Sequence, residues 1–333
     1  MNANHQRSLS CRVGRAALYL ALAVLFNCEA RAAEKLRFAV QKTGTFAWEL
    51  AIITSRGLDK KADLDLEVTE LASPEAAKIA LMGRAADMIL SDWLWVARQR
   101  NLGGRLVFLP YSTALGAVMV PASSPITDLT GLKGKKIAIA GGPLDKSWLL
   151  LQALARQSDF DIGSQASIIY GAPALLYQKA ESGEADATLN YWTFCVALES
   201  HGFRRLIDMG DVERRLGAKG PVAMVGYVFD EGFAQSHTAA LARFFKIAAE
   251  AKDILVHSDA DWEKIGQQLG IADQAQLARY RKTYSDGIPR RPVAEEAADA
   301  GALYRILAKI GGTALVGNAT ELDEGTFYQN PDF

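Results

Sequence analysis

The chain has 333 residues, of which half are hydrophobic and 23% are charged. This length suits one large or two medium domains with a buried core. Its 37 basic and 38 acidic residues nearly cancel, which gives a net charge of −1 at pH 7. Because the chain has no strong field of either sign, we expect no nucleic-acid partner.

The N-terminus has the three parts of a secretory signal peptide. Basic residues precede the apolar run Ala16–Phe26, and Ala30-Arg31-Ala32 is an A-x-A cleavage pattern. The apolar run is too short to span a bilayer comfortably. We therefore expect residues 1–32 to be removed and the mature protein to be periplasmic, with an uncleaved anchor as the alternative.

The chain contains three cysteines, and two of them, Cys11 and Cys28, lie in or beside the signal. Lipidation of Cys28 stays open, although the residues before it fit a lipobox poorly. Cys195 lies in the apolar stretch NYWTFCVAL and is predicted to be a small buried residue rather than a nucleophile. With one cysteine certain to remain, we expect no intramolecular disulfide.

Strands and helices alternate through the first third of the chain. The hydrophobic patterns predict a strand at 35–40, a helix from 44 that ends near Gly57, a strand at 64–71, a helix at 74–85, a strand at 86–92, a helix at 93–103 and a strand at 105–112. Such alternation is typical of parallel α/β layers.

The pattern then begins again and ends in helices. We predict strands at 133–140, 165–171, 186–192, 204–211 and 222–230, with helices at 141–156, 173–185 and 195–203 between them. From His237 onward the chain is predicted to be helical, up to a tail without clear periodicity.

Three coincidences indicate that the second half repeats the first. The strand at 35–40 aligns with 135–140, and each strand is followed by a glycine-containing loop and an early tryptophan, Trp48 or Trp148. The pattern A-D-x-x-L-x-x-W that ends at Trp93 recurs ending at Trp192. We therefore expect two similar α/β units.

Ligands of open α/β sheets bind beyond the carboxyl ends of the strands. This rule selects the loops QKTGTF, SDW and YST in the first unit and GGPLDKS, YGAP and NYW in the second. If the two units face each other, these loops border one cleft. Trp93 and Trp192 then become candidates for an aromatic clamp, although burial in each unit's own core has almost equal weight.

The turn GGPLDKS, residues 141–147, does not have the spacing of a nucleotide-binding loop. It matches neither G-x-x-x-x-G-K-[ST] nor G-x-G-x-x-G. A helix N-terminus loosened by two glycines favours a small anionic or hydrogen-bonding group instead. Asp145 as a simple N-cap with Lys146 solvated is a slightly favoured alternative to direct ligand contact.

Catalytic constellations are missing from the sequence. His201, His237 and His257 have no metal-ligand spacing, and no G-x-S-x-G motif occurs. Carboxylate pairs such as Glu295-Glu296 lie on charged helix faces, which are usually solvated. We therefore expect a binding protein that is not an enzyme and has no cofactor or metal.

Several stretches resemble ABC-transporter solute-binding proteins, among them GRAADMILSDW, VPASSPITDLTGLKGKKIAIAGG and SGEADATLNYW. The group they resemble most binds nitrate, taurine, aliphatic sulfonates and thiamine pyrimidine precursors. The resemblance covers Leu36–Phe229, and Pro125–Lys136 is its most specific part.

The resemblance implies an α/β, two-lobed type II periplasmic-binding-protein fold, with two similar lobes joined by a two-segment hinge. Lobe 1 would comprise residues 33–114 plus 226–333, and lobe 2 residues 115–225. The chain would cross between them near Ser112–Val118 and return near Val222–Val228. Function would be capture of a small-molecule solute, hinge closure and transient docking to a membrane ABC permease, by a protein that we expect to be a monomer.

Two departures from the group bear on the ligand. Leu144-Asp145-Lys146-Ser147 stands where relatives often have a Ser-Ser or Ser-Thr pair, and Tyr191-Trp192-Thr193-Phe194 where they often have Trp-Asp-Pro-Tyr. We expect a small organic ligand with an apolar or aromatic face and, as an option, a positive group that Asp92 or Asp145 would meet. The expected ligand-binding residues are Thr45, Trp48, Ser91, Asp92, Trp93, Gly142, Asp145, Ser147, Tyr191 and Trp192.

Two other functions remain open from the sequence. The chain could serve a sensor or a periplasmic enzyme instead of a permease. It could also be an enzyme similar to thiamine-pyrimidine synthases, but these are expected to carry a cysteine-rich iron motif and paired histidines, which one mature cysteine and scattered histidines do not provide.

Overall fold

The computed structural model describes residues 33–41, 44–71 and 73–329. The predicted signal peptide, its cleavage site and Cys28 lie outside the described residues. The chain divides into two units, residues 1–34 and 35–333, and the architecture below is that of the second. None of its described helices combines the length and the apolar character needed to cross a membrane.

The strands follow the predicted order with small shifts at their ends, except that β5 was not predicted. They are β1 (Glu34–Gln41), β2 (Leu64–Leu71), β3 (Met88–Ser91), β4 (Leu106–Ser112), β5 (Ala117–Pro121), β6 (Lys136–Ala140), β7 (Ser167–Gly171), β8 (Ala187–Asn190), β9 (Phe203–Asp208) and β10 (Val225–Asp230).

The helices between and after the strands match the predicted alternation. They are α1 (Thr45–Ser55), α2 (Leu58–Lys61), α3 (Pro74–Met82), α4 (Trp93–Asn101), α5 (Lys146–Arg156), α6 (Ile162–Gln165), α7 (Pro173–Glu181), α8 (Trp192–Ser200), α9 (Met209–Arg215), α10 (Glu231–Ser236), α11 (Thr238–His257), α12 (Asp259–Leu269), α13 (Gln274–Asp286) and α14 (Val293–Val316). A 3₁₀ turn, Leu129–Leu132, precedes β6.

Two five-stranded sheets organise the fold. The first has the order β2-β1-β3-β10-β4 and the second the order β7-β6-β8-β5-β9. We predicted parallel layers, but both sheets are mixed, because β10 and β5 run antiparallel to both of their neighbours. The chain reaches each of these two strands from the opposite sheet. It enters at the edge where the parallel strands end, so each strand must run in the opposite direction to them.

The predicted internal repeat is visible in hydrogen bonds that the two sheets share. Arg37 N–H donates to Asp87 Oδ2 at 2.9 Å, and Lys136 N–H donates to Asp186 Oδ2 at 2.8 Å. In return, Asp87 N–H bonds the Arg37 carbonyl and Asp186 N–H bonds the Lys136 carbonyl. The aspartate of the repeated A-D motif therefore fixes the register of β1 on β3 and of β6 on β8.

The chain crosses between the sheets twice, through residues 113–116 and 216–224. The first crossing lies within the predicted Ser112–Val118. The second begins and ends earlier than the predicted Val222–Val228, because α9 ends at Arg215 and β10 already starts at Val225. A short helix, α9, that we did not predict precedes it, and residues 209–211, read as the end of a strand, form its first turn.

The C-terminal helix α14 touches both halves of the fold. It packs against α4, which follows β3 of the first sheet, and against α5, which follows β6 of the second. Leu303, Tyr304 and Leu307 on its inner face are fully buried in a cluster that contains residues of both sheets. The end of the chain therefore joins the two sheets in addition to the two crossings.

Candidate functional site

All ten predicted ligand residues lie where parallel strands end and the next helix begins. Thr45 and Trp48 are in the first turn of α1, after β1, and three more follow at the end of β3 and the start of α4. The second sheet supplies the others, at the β6–α5 and β8–α8 junctions. The β3–α4 junction contains Ser91, Asp92 and Trp93, the β6–α5 junction contains Gly142, Asp145 and Ser147, and the β8–α8 junction contains Tyr191 and Trp192.

Asp92 closes the N-terminus of α4. Its Oδ1 accepts the Trp95 N–H at 2.9 Å, and its Oδ2 lies 3.7 Å from the Lys78 ammonium. Lys78 also lies 5.2 Å from the centre of the Trp95 ring, a cation–π contact. Burial by itself would raise the pKa of Asp92, but the charges of Lys146 and Lys78 outweigh it and hold that pKa below its usual value.

Asp145 caps the N-terminus of α5. Its Oδ1 accepts the N–H groups of Ser147 at 3.0 Å and of Trp148 at 3.2 Å. Gly141 enters the turn at φ +90° and passes so close that a Cβ there would lie 3.1 Å from Asp145 Oδ2. The N-cap role weighed for Asp145 is thus confirmed. Burial raises the pKa of Asp145, and Lys146 and the two N–H donors only partly offset it.

Lys146 links the two sheets electrostatically. Burial would lower the pKa of its ammonium, but Asp92, from the first sheet, and Asp145, from the second, raise it above the usual value. Tyr191 belongs to the same group, since its pKa is raised by burial first and by Asp145 next. Lys146 was expected to be solvated, and it instead lies among charges from both halves of the fold.

The β8–α8 junction supplies the aromatic side of the site. Tyr191 is 45% exposed, whereas Trp192 is 8% exposed. The Trp192 ring meets Trp48 edge-to-face at 6.3 Å between centroids and Tyr280 at 5.7 Å. The Tyr280 hydroxyl also donates to the Thr193 carbonyl at 2.7 Å. These contacts hold the start of α8, which follows the second sheet, against α1 and α13.

A buried polar network fixes the first turn of α1. Glu49 is fully buried and accepts from the Lys252 ammonium at 2.5 Å and the Tyr284 hydroxyl at 2.6 Å. Lys252 lies 3.8 Å from the centre of the Tyr111 ring, whose hydroxyl hydrogen-bonds Thr45 Oγ1 at 2.9 Å. Thr45 and Trp48 are therefore positioned by side chains that lie beneath the helix.

Trp93 does not join the other aromatic residues. It is fully buried and packs against Tyr304 and Phe327, with ring centroids 6.4 and 6.3 Å away. The structure thus does not assemble Trp93 and Trp192 into a clamp, because α4 turns Trp93 toward α14. Core packing was the alternative weighed for Trp93. Ser91, 8% exposed, has a buried hydroxyl without a hydrogen-bond partner among the described residues.

Two cavities of about 510 Å³ lie elsewhere, and neither is lined by any of the ten predicted residues. One lies beside the crossings and is lined by the first crossing, α9 and the end of α13, with Arg205 and Glu213 among its charged residues. The other lies at the edge of the first sheet where β1 and β4 begin, near Arg37 and Arg105.

Among the described residues, no group of three or more His, Cys, Asp or Glu side chains could hold a metal ion. Cys195 is fully buried, and its burial raises the pKa of the thiol to about 12. A thiol in this state is not activated for nucleophilic attack. The converging groups can bind and orient a solute through charge, hydrogen bonds and aromatic contact.

Residues 52–257, more than half of the chain, match the NMT1/THI5-like family. The chain belongs to the NMT1/THI5-like family. The match spans the β3–α4, β6–α5 and β8–α8 junctions, and it begins after Thr45 and Trp48 of α1. A comparison with curated protein sequences gave no match.

Solved structures with the same fold include several transport proteins. The periplasmic aliphatic sulphonate-binding protein SsuA from Escherichia coli superposes with a TM-score of 0.69 at 19% identity, covering 89% of this chain and 94% of its own. The alkanesulfonate-binding protein SsuA from Xanthomonas axonopodis pv. citri, bound to MOPS, gives 0.64 at 19% identity, with 86% and 98% covered. An ABC transporter from Parabacteroides distasonis gives 0.66 at 14% identity, with 90% and 99% covered.

The expected fold class is therefore confirmed: this member of the NMT1/THI5-like family has two similar α/β lobes joined by a two-segment hinge. The sequence analysis missed Lys78 and Lys146 as site residues. A single lysine in or at the start of a helix gives no signal of its own. The effect of Asp92 on Lys146 depends on how the two lobes face each other, which no local pattern reports.

Proposed function

We propose that the protein is a periplasmic solute-binding protein that captures a small organic solute between its two lobes and delivers it to a membrane ABC permease. The observation that carries this is that Asp92 of one lobe raises the pKa of Lys146 of the other, at junctions where strands of both sheets end. We propose that lobe 1 comprises residues 33–114 plus 226–333 and that lobe 2 comprises residues 115–225. The ten predicted residues, Lys78 and Lys146 lie around the cleft between them.

Membership of the NMT1/THI5-like family supports this proposal. The sulfonate-binding and ABC-transporter proteins that share the fold support it further. Ligands of open α/β sheets bind beyond the carboxyl ends of strands, and there the described residues include aromatic rings and polar groups. The mature protein acts as a monomer that contacts the permease transiently.

Solute capture is tested by native mass spectrometry of the protein produced with its own N-terminal segment. We expect an added small-molecule mass after incubation with a metabolite extract, and its loss in Tyr191→Ala, because Tyr191 is the exposed ring at the cleft. Leu102→Ala is the matched control, since Leu102 is 71% exposed at the far end of α4. Absence of any bound solute in the unmodified protein would contradict the proposal.

Export is tested on the same protein. We expect its mature form in the periplasmic fraction to begin at Ala33, because cleavage follows Ala32 of the A-x-A pattern. Intact-mass measurement reads the N-terminus directly and also detects a lipid on Cys28. A protein that keeps residues 1–32 and stays in the membrane fraction would instead be anchored.

A further inference from the structure

The charges at the centre of the proposed cleft neutralise one another. Asp92 and Asp145 carry two negative charges, and Lys78 and Lys146 carry two positive ones. Lys78 lies 3.7 Å from Asp92, and Lys146 interacts with both carboxylates. Glu75, another acidic group whose charge raises the pKa of Tyr191, is exposed to solvent. A solute therefore meets a site whose own charges are already matched.

The N–H groups that usually bind an oxyanion are in part already used at both charged junctions. Anions bind helix N-termini through free backbone N–H groups. At α4 the Trp95 N–H already bonds Asp92, and at α5 the N–H groups of Ser147 and Trp148 already bond Asp145. A sulfonate or carboxylate would have to displace one of these carboxylates or lie beside it.

A cationic solute has no better position. Asp92 already uses one oxygen as a cap and turns the other toward Lys78. An ammonium placed between Asp92 and Asp145 would also lie next to Lys146, and like charges a few ångströms apart repel each other in a half-buried site. Added net charge of either sign is therefore unfavourable beside Asp92, Asp145 and Lys146.

Hydrogen-bonding capacity remains even though the charges are balanced. Among the described residues, Lys146 Nζ has no direct hydrogen-bond or ion-pair partner, and Asp145 Oδ2 accepts no hydrogen bond. A donor and an acceptor thus stand on adjacent residues at the start of α5. The Ser91 hydroxyl is buried without a partner, and the exposed Tyr191 ring offers an apolar face.

We propose, on the basis of the proposed function, that the solute carries no net charge and presents a donor and an acceptor side by side, as a carboxamide does. Lys146 donates to its acceptor, Asp145 accepts from its donor, and Tyr191 covers its apolar body. Asp92 is the counter-charge of Lys146 from the opposite lobe, Lys78 pairs with Asp92, and neither contacts the solute.

Three probes of one shape test the charge preference: benzamide, benzoate and benzamidinium, titrated into the full chain by calorimetry at pH 7. We expect benzamide to bind about tenfold more tightly than either ion, a difference of about 1.4 kcal/mol. Tighter binding of benzoate or benzamidinium overturns the inference. Failure of all three probes overturns it too, while capture from the metabolite extract would still support the proposed function.

Charge-changing variants give the matched controls. Lys146→Met removes one of the two positive charges and leaves Asp145 without its neighbour's charge, so it should shift the preference toward benzamidinium. Asp145→Asn keeps a good N-cap residue and should shift it toward benzoate. The double variant restores the balance and should again favour benzamide, though less tightly than the unmodified protein. A preference that stays the same in both single variants would show that these residues do not select the solute.

Discussion

Single residues in this fold have roles that depend on their partners. Glu49 lies at a buried position of α1 because Lys252, Tyr284 and Tyr227 surround its carboxylate. A buried charge of this kind persists only when it is paired and hydrogen-bonded. Burial and the Glu49 charge together raise the pKa of Tyr284 well above its ordinary value, so the phenol stays a donor at every physiological pH.

Glu49→Gln should destabilise the protein by about 3–5 kcal/mol, because it leaves the Lys252 ammonium buried without a counter-charge. Denaturant unfolding measures the loss. Lys252→Met should cost a similar amount, and the double variant should cost clearly less than the sum of the two. Additive costs in this cycle would mean that the two groups do not form a pair.

At the scale of an element, the path of the first crossing, residues 113–116, depends on the elements packed around it. Gly116 precedes β5, and a Cβ at this position would lie 1.7 Å from the Asn190 carbonyl oxygen at the end of β8. The neighbouring Thr113 N–H bonds the Gly287 carbonyl at 2.7 Å. The crossing is therefore packed between β8 and the end of α13 and has little freedom in its path.

Gly116→Ala should destabilise the fold by more than about 3 kcal/mol, because the clash is with backbone and cannot be relieved by a side-chain rotation. Gly301→Ala is the matched control, since a Cβ on this helical glycine meets nothing within 4 Å. It should stabilise the protein by up to about 1 kcal/mol. Thermal unfolding compares the two, and equal melting temperatures would contradict the packing described for the crossing.

Elements with a clear hydrophobic period were predictable from the sequence, whereas those set by tertiary context were not. The strands of the repeated A-D motif and the long C-terminal helices match because their patterns extend over several turns or alternations. The strand β5 and the short helix α9 were missed, since β5 is buried on both faces and shows no alternation, and α9 is only two turns long. The burial of Trp93 and the position of Lys146 depend on α14 and on the opposite lobe, which are distant in sequence.

At the scale of the whole molecule, three buried carboxyl groups hold the second crossing. Glu213 of α9 accepts the Val222 N–H, and two acids of α14 accept N–H groups of the same segment: Glu296 from Ala223, and Asp299 from Lys219 and Gly220. Arg291 neutralises Asp299 at 2.8 Å. The other Glu213 oxygen is buried without a partner among the described residues.

This cluster should make stability depend on pH. Burial raises the pKa of Glu213 from 4.5 to about 8, and the nearby Glu296 and Asp299 add to the effect against the Val222 N–H and Arg214. The folded state therefore binds a proton more tightly than the unfolded state does. The stabilisation is complete below about pH 4.5 and is lost as the pH rises toward 8.

Denaturant unfolding at a series of pH values checks this dependence. The free energy of unfolding should decline between pH 5 and 8 through this group, and Glu213→Gln should flatten the decline. Asp211→Asn is the matched control, because Asp211 lies on the same short helix but is exposed and pairs with Arg214. An unchanged slope in Glu213→Gln would assign the pH dependence to other groups.

Hydrogen–deuterium exchange with and without the solute captured from the extract tests the central claim, that both lobes hold one solute at the ends of their strands. We predict that the solute slows amide exchange in both lobes together, in residues 91–95 of the first lobe and in residues 141–148 and 190–193 of the second. Protection confined to one lobe, or to residues 113–116 and 209–214 beside the crossings, would contradict the account and place the solute elsewhere.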